Sequence, residues 1–190
     1  MRRTLAAALI AMTLAACDRA AEPAAPPAAP AAETPTTASP PPTPVSAILA
    51  PEGQFDAISN TAMSVTGDLT GAAGGLTFAQ GQDYGLSGMA AGKAVDAYAD
   101  TKASFASLIN VPDAAEIRVF KVSREEKGGA RNGGLCGADS TTHVVTYQGV
   151  DGTGAPALFV IAFKGAAPPS ATSPEADLCG TYMYAPKSAG

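Results

Sequence analysis

The sequence predicts an α+β domain: an antiparallel β-sheet packed on one main helix, preceded by a disordered Ala/Pro linker. Three observations predict it. Several short stretches alternate apolar and polar residues and are joined by glycine-rich turns, the pattern of half-buried strands in a meander. One stretch, residues 93–109, carries apolar residues at helical spacing. A run of proline and alanine separates this patterned region from the amino terminus.

The elements follow in chain order. Residues 62–69 place Met63, Val65, Gly67 and Leu69 on one face and Ser64, Thr66 and Asp68 on the other, which predicts a strand. Gly71-Ala72-Ala73-Gly74-Gly75 is a turn, and Leu76-Thr77-Phe78 resumes the alternation, so the pair reads as a hairpin. Gly81 and Gly85 bracket a further turn, with Tyr84-Gly85-Leu86 as a short strand. In residues 93–109, Val95, Tyr98, Lys102, Phe105 and Ile109 form the stripe of the main helix, which Asn110 and Pro112 end.

Residues 116–123 read as a strand whose phase shifts between Val119 and Phe120, the mark of a bulge or of burial on both faces. A charged, glycine-rich loop follows through Gly134. Residues 141–148 form a strand with His143, Val145 and Tyr147 on one face, and Gly149 to Gly154 contain the Asp-Gly of a hairpin turn. Residues 157–163 are apolar on both faces and predict the central strand. A helical turn at 175–178 and a last strand at 181–184 complete the domain, with the chain fraying from Ser188. With short turns throughout and a single helix, the sheet is expected to be antiparallel.

The chain has 190 residues, of which the first 50 do not read as folded. The remainder suffices for one domain, residues 51–190, with a core of its own. Residues 18–50 hold nine prolines and eleven alanines. Such a segment buries too little apolar surface to offset its ordering entropy. Its prolines favour an extended spacer, reaching roughly 100 Å at about 3.1 Å per residue. The formal net charge of −5 argues against nucleic acid, whose binders present basic surface. There is no tryptophan, and aromatic residues make up 6%, which disfavours a stacking platform for sugars or bases.

The amino terminus has the parts of an export signal. Met1-Arg2-Arg3 is positive, and residues 5–14 are uncharged and apolar, too short to span a bilayer as a helix. Leu14-Ala15-Ala16-Cys17 follows. This stretch resembles the lipobox of bacterial lipoproteins. The resemblance implies cleavage before Cys17, so that residues 1–16 are a signal peptide and residues 17–50 an anchor and linker. It also implies a diacylglycerol on the Cys17 thiol and acylation of the new amino terminus. Three chains hold a protein firmly to a membrane, whereas one does so only marginally. The expected location is the bacterial cell envelope, lipid-anchored and facing the periplasm. Asp18 resembles an inner-membrane retention signal, and the choice of membrane stays open.

With Cys17 acylated, Cys136 and Cys179 remain. An even count in an oxidising compartment predicts a disulfide. Closing a loop of about 44 residues stabilises by roughly 4 kcal/mol on the chain-entropy model.

Catalytic patterns are sparse. His143 is the only histidine, and a metal site would need carboxylates beside it. Ser140, His143 and Asp139 or Asp151 contain the residue types of a triad, but no serine sits in a Gly-x-Ser-x-Gly elbow. Glu125 and Glu126 point apart on an extended backbone, which disfavours a glycosidase pair. Gly128 to Gly134 is glycine-rich but opens no helix, as a phosphate cradle requires. No cofactor and no metal are expected. Arg124, Lys127 and Arg131 gather positive charge on an acidic domain and form the candidate partner contact.

The sequence therefore predicts an envelope lipoprotein with a non-catalytic binding or accessory domain, contacting the membrane through acyl chains and an envelope protein or wall component through its folded part. The alternative is an envelope hydrolase acting on cell-wall or lipid substrate through His143.

Overall fold

The structure, a computed structural model, describes residues 49–188. The expected signal peptide, Cys17, Asp18 and nearly all of the expected linker lie outside the described residues.

The architecture corrects the α+β expectation. Eight antiparallel strands follow one another in chain order and close into a barrel: β1 (Gly53–Ala57), β2 (Leu69–Ala72), β3 (Gly75–Phe78), β4 (Asp83–Lys93), β5 (Glu116–Glu126), β6 (His143–Val150), β7 (Pro156–Phe163) and β8 (Leu178–Pro186). Closure comes from pairing of β1 with β8, where Asp56 faces Ala185 and Ala57 faces Tyr184. A closed sheet leaves no edge of unpaired backbone groups.

The expected main helix is the largest correction. Residues 94–111 instead wrap across the outside of the barrel, and only α2 (Phe105–Ile109) is helical. Lys102 has φ 62°, and Ala97 and Ser104 form a β-bridge, so the chain folds back on itself where a helix would continue. The side chain of Ser104 then caps α2 by accepting from the Ser107 N–H at 3.2 Å. Tyr98, Phe105 and Ile109 are buried as their spacing implied, but two short segments bring them together, and Val95 stays exposed. Asn110, with φ 52°, ends the helix as expected.

The expected strand over residues 62–69 is also corrected. Asn60–Val65 is a helix, α1, capped by Ser59, whose Oγ accepts from the Ala62 N–H at 3.1 Å. Gly67, at φ 65°, stops it before β2 begins. A helix of six residues is too short to display its period, so its apolar residues mimicked alternation.

The remaining strands are found with shifted ends, with two corrections: Gly85 lies within β4, paired with Gly75, and does not bracket a turn, and the closed barrel has no central strand for residues 157–163 to form. Residues Ala73 and Gly74 make the tight turn between β2 and β3. A bulge lies opposite Val119 and Phe120, with the extra residue, Met89, on the partner strand β4. The β6–β7 turn is built on Asp151, whose Oδ1 accepts from the N–H groups of Thr153 and Ala155 at 2.8 and 3.0 Å.

Two cores result. The barrel interior is filled by side chains such as Phe55, Leu76, Phe120, Val144, Leu158 and Tyr184. The second lies outside it, where residues 94–111 cover Val145, Tyr147, Phe159, Ile161 and Phe163. Strand β7 faces both cores, which is why it is apolar throughout. Elsewhere the outward residues, among them Gln54, Thr70, Thr77, Lys121 and Arg124, are exposed and polar. That pattern is the inverse of a barrel facing lipid.

Candidate functional site

The two ends of the barrel differ. At one end the chain enters through residues 49–52 and leaves after Pro186. Ala50 is buried in the barrel core, and Gly71 has no room for a side chain because the Pro51 carbonyl lies against it. The opposite end is sealed by α1 and by the loop of residues 127–142, between β5 and β6.

That loop is held at many points. Leu135 is buried, and both of its backbone polar groups are bound by barrel tyrosines. Its N–H donates to the Tyr84 hydroxyl at 2.7 Å, and its carbonyl accepts from the Tyr182 hydroxyl at 2.6 Å. The next residue, Cys136, is joined to Cys179 at the start of β8, so the expected disulfide is present. Glu125 accepts from the N–H and hydroxyl of Thr141 at 3.2 and 3.0 Å. The Gln82 amide donates to the carbonyls of Val65 and Gly133, and Asn132 donates to that of Ser64, tying the loop to α1 and its end.

The three candidate contact residues have separate roles. Lys127 donates to three consecutive carbonyls, Gly137, Ala138 and Asp139, at 3.0, 2.8 and 2.7 Å, so its charge organises the loop. Arg124 is paired with Asp83 and with Glu126 on the outside of the barrel. Arg131 is exposed and, among the described residues, makes no ion pair. The three do not form one cationic patch. The sequence offered no signal for this, since carbonyls that neutralise a lysine are invisible in residue types.

Beside the disulfide lies a groove of about 420 Å³ lined by Thr61, Val65, Asn132, Cys136, Lys164 and Tyr182. Lys164 and Asp139 form an ion pair at 2.8 Å on its rim; their bond lowers the Asp139 pKa and raises that of Lys164. Met63 and Ile58 are exposed on the same end.

His143 is the first residue of β6, directly after the 127–142 loop, and lies on the strand's outward side opposite Phe163. It is 3% exposed, and its Nδ1 shares a hydrogen bond with the Thr142 hydroxyl at 3.1 Å. Burial lowers its pKa and so favours the neutral ring. The structure does not join it to the triad candidates. Asp139 is bound to Lys164, and Asp151 holds the β6–β7 turn at the other end. Glu126 is exposed, whereas Glu125 is half-buried on the loop. Among the described residues no cluster of His, Cys, Asp and Glu has the arrangement of a metal site, and no helix is long and apolar enough to cross a membrane.

Compared with protein families, curated proteins and solved structures, the chain matches none of them.

Proposed function

We propose that this chain is a lipid-anchored envelope lipoprotein whose barrel is a non-catalytic binding or accessory domain, and that the disulfide-clamped end is its partner surface. The observation that carries this reading is the polarity of the barrel. The chain enters the barrel through residues 49–52 at one end, which leaves the opposite end free of the entering segment. A loop held by the disulfide and by hydrogen bonds, with exposed Arg131 and Met63 beside a groove, suits contact with a folded partner, because little ordering entropy is lost on binding. The packed position of His143, with a hydroxyl rather than a carboxylate beside its ring, favours this reading over a histidine-dependent hydrolase.

Photoreactive residues placed at Arg131 and Met63 in the full chain, expressed in cells, test it against one placed at Val150 on the entry end. A discrete adduct from the first two positions and none from Val150 is expected. Equal labelling from both ends, or no adduct from either, contradicts the proposed surface.

A further inference from the structure

Among the described residues, the end at which the chain enters the barrel is not sealed as the opposite end is. Between the entering chain and strands β5 and β6 lies a cleft of about 560 Å³ lined by Pro51, Glu116, Arg118, Thr146 and Gln148. Volumes of this size accommodate small molecules, and barrel mouths are a usual place for them. The four strand residues belong to the inward-facing set: Arg118 and Thr146 are register partners, and each alternates with a residue of the barrel core, Phe120 and Val144.

The lining is polar where the adjoining interior positions, Phe120 and Val144, are apolar. Thr146 borders the cleft, and its hydroxyl makes no hydrogen bond among the described residues, so it is free to bind a polar group there. Arg118 presents a guanidinium loosely engaged by the protein: its Nε is 3.7 Å from Glu116, and its Nη1 is 3.5 Å from the Leu49 carbonyl. Such long contacts leave the planar Nη edge open to a carboxylate, which it matches in a bidentate way. Glu116 supplies the opposite charge at the same rim, and Gln148 supplies both a donor and an acceptor.

We infer that this cleft binds a small zwitterion, of the size of an amino acid or dipeptide, with its carboxylate on Arg118, its ammonium toward Glu116 and a further polar group on Thr146. The paired signs of Arg118 and Glu116 select for a ligand with both charges over a simple anion or cation. The site is separate from the partner surface at the opposite end and does not depend on it.

Titration of the full chain with alanine and with alanyl-alanine, followed by amide chemical shifts, tests the inference. Saturable shifts at Arg118, Thr146 and Gln148 are expected, with acetate and ethylamine each producing at least tenfold weaker binding. Arg118→Gln should abolish saturation and Thr146→Val should weaken it, while both variants keep the shift pattern of the folded barrel. No saturable shift with either zwitterion overturns the inference, as does binding that acetate reproduces or that survives Arg118→Gln. Loss of the folded spectrum in Arg118→Gln transfers the test to Arg118→Lys, whose point charge should bind the carboxylate measurably more weakly; unchanged affinity there overturns it equally.

Discussion

The hydroxyl of Tyr182 donates to the carbonyl of Leu135 at 2.6 Å, one residue before the cysteine that bridges to Cys179. Hydrogen bond and covalent bond thus fix the same point of the loop to the same strand. Replacing both Cys136 and Cys179 by Ser should cost about 4 kcal/mol on the chain-entropy model. In a domain of this size that lowers the thermal midpoint by roughly 10 °C. Tyr182→Phe, which leaves the buried Leu135 carbonyl unpaired, should cost about 1–3 kcal/mol in urea unfolding. An unchanged midpoint in the double Ser variant would show that the loop is held without the bridge.

Alkaline pH should loosen the same end. Burial pushes the phenols of Tyr84 and Tyr182 up to about 12 from an ordinary value of 10.0. The unfolded chain therefore loses these protons first, and their contribution is complete below pH 10 and is lost as pH rises toward 12. Phenolate absorbance should show these two groups ionising late, together with unfolding. Ionisation of every tyrosine near pH 10 with the fold intact contradicts the burial.

For His143 the sign is opposite. Its pKa lies below the ordinary 6.5, with burial as the main cause and Lys121 adding to it. The unfolded state binds the proton more readily, so stability present above pH 6.5 declines as pH falls through that value toward the folded pKa. An NMR titration of the ring should give a midpoint under 6.5. His143→Ala should lower stability through lost packing while sparing the envelope function. Loss of function in a stable, folded His143→Ala protein would instead revive the hydrolase reading.

Gly71 offers a probe of the entry end. A methyl group there would collide with the Pro51 carbonyl, so Gly71→Ala should lift residues 49–52 off the barrel. The expected cost is about 1–3 kcal/mol, as for other overpacking. Hydrogen exchange should rise at Ala50 and leave the disulfide-clamped end unaffected. Protection unchanged at Ala50 contradicts the close approach.

Much of the sheet was legible in the residues. Two-sided apolarity marked β7, Asp151-Gly152 marked its hairpin, and the mixed phase at Val119 and Phe120 marked burial on both faces of β5, whereas the bulge itself, at Met89 on β4, left no sign in β5. Residues 93–109 misled because Tyr98, Phe105 and Ile109 must all be buried, and a folded-back segment with Lys102 at positive φ buries them as well as a helix does. Barrel closure had no local signature, since the register of Phe55 against Pro186 joins the two ends of the domain. Of the site, the Cys136–Cys179 bridge was readable from the even count left after Cys17 and from the expectation of an oxidising compartment. The clamping of Leu135 by Tyr84 and Tyr182 was not, because it depends on backbone groups brought together only by the closed sheet.

The reading of the disulfide-clamped end as the partner surface rests on the proposed anchor, so the chemistry of residue 17 bears on it directly. Mass spectrometry of the amino-terminal peptide from membrane-extracted protein measures it directly. The expected result is a peptide that begins at Cys17 and carries a diacylglyceryl group and an amide-linked acyl chain. A peptide with an unmodified Cys17 thiol, or one produced by cleavage at another position, contradicts the account.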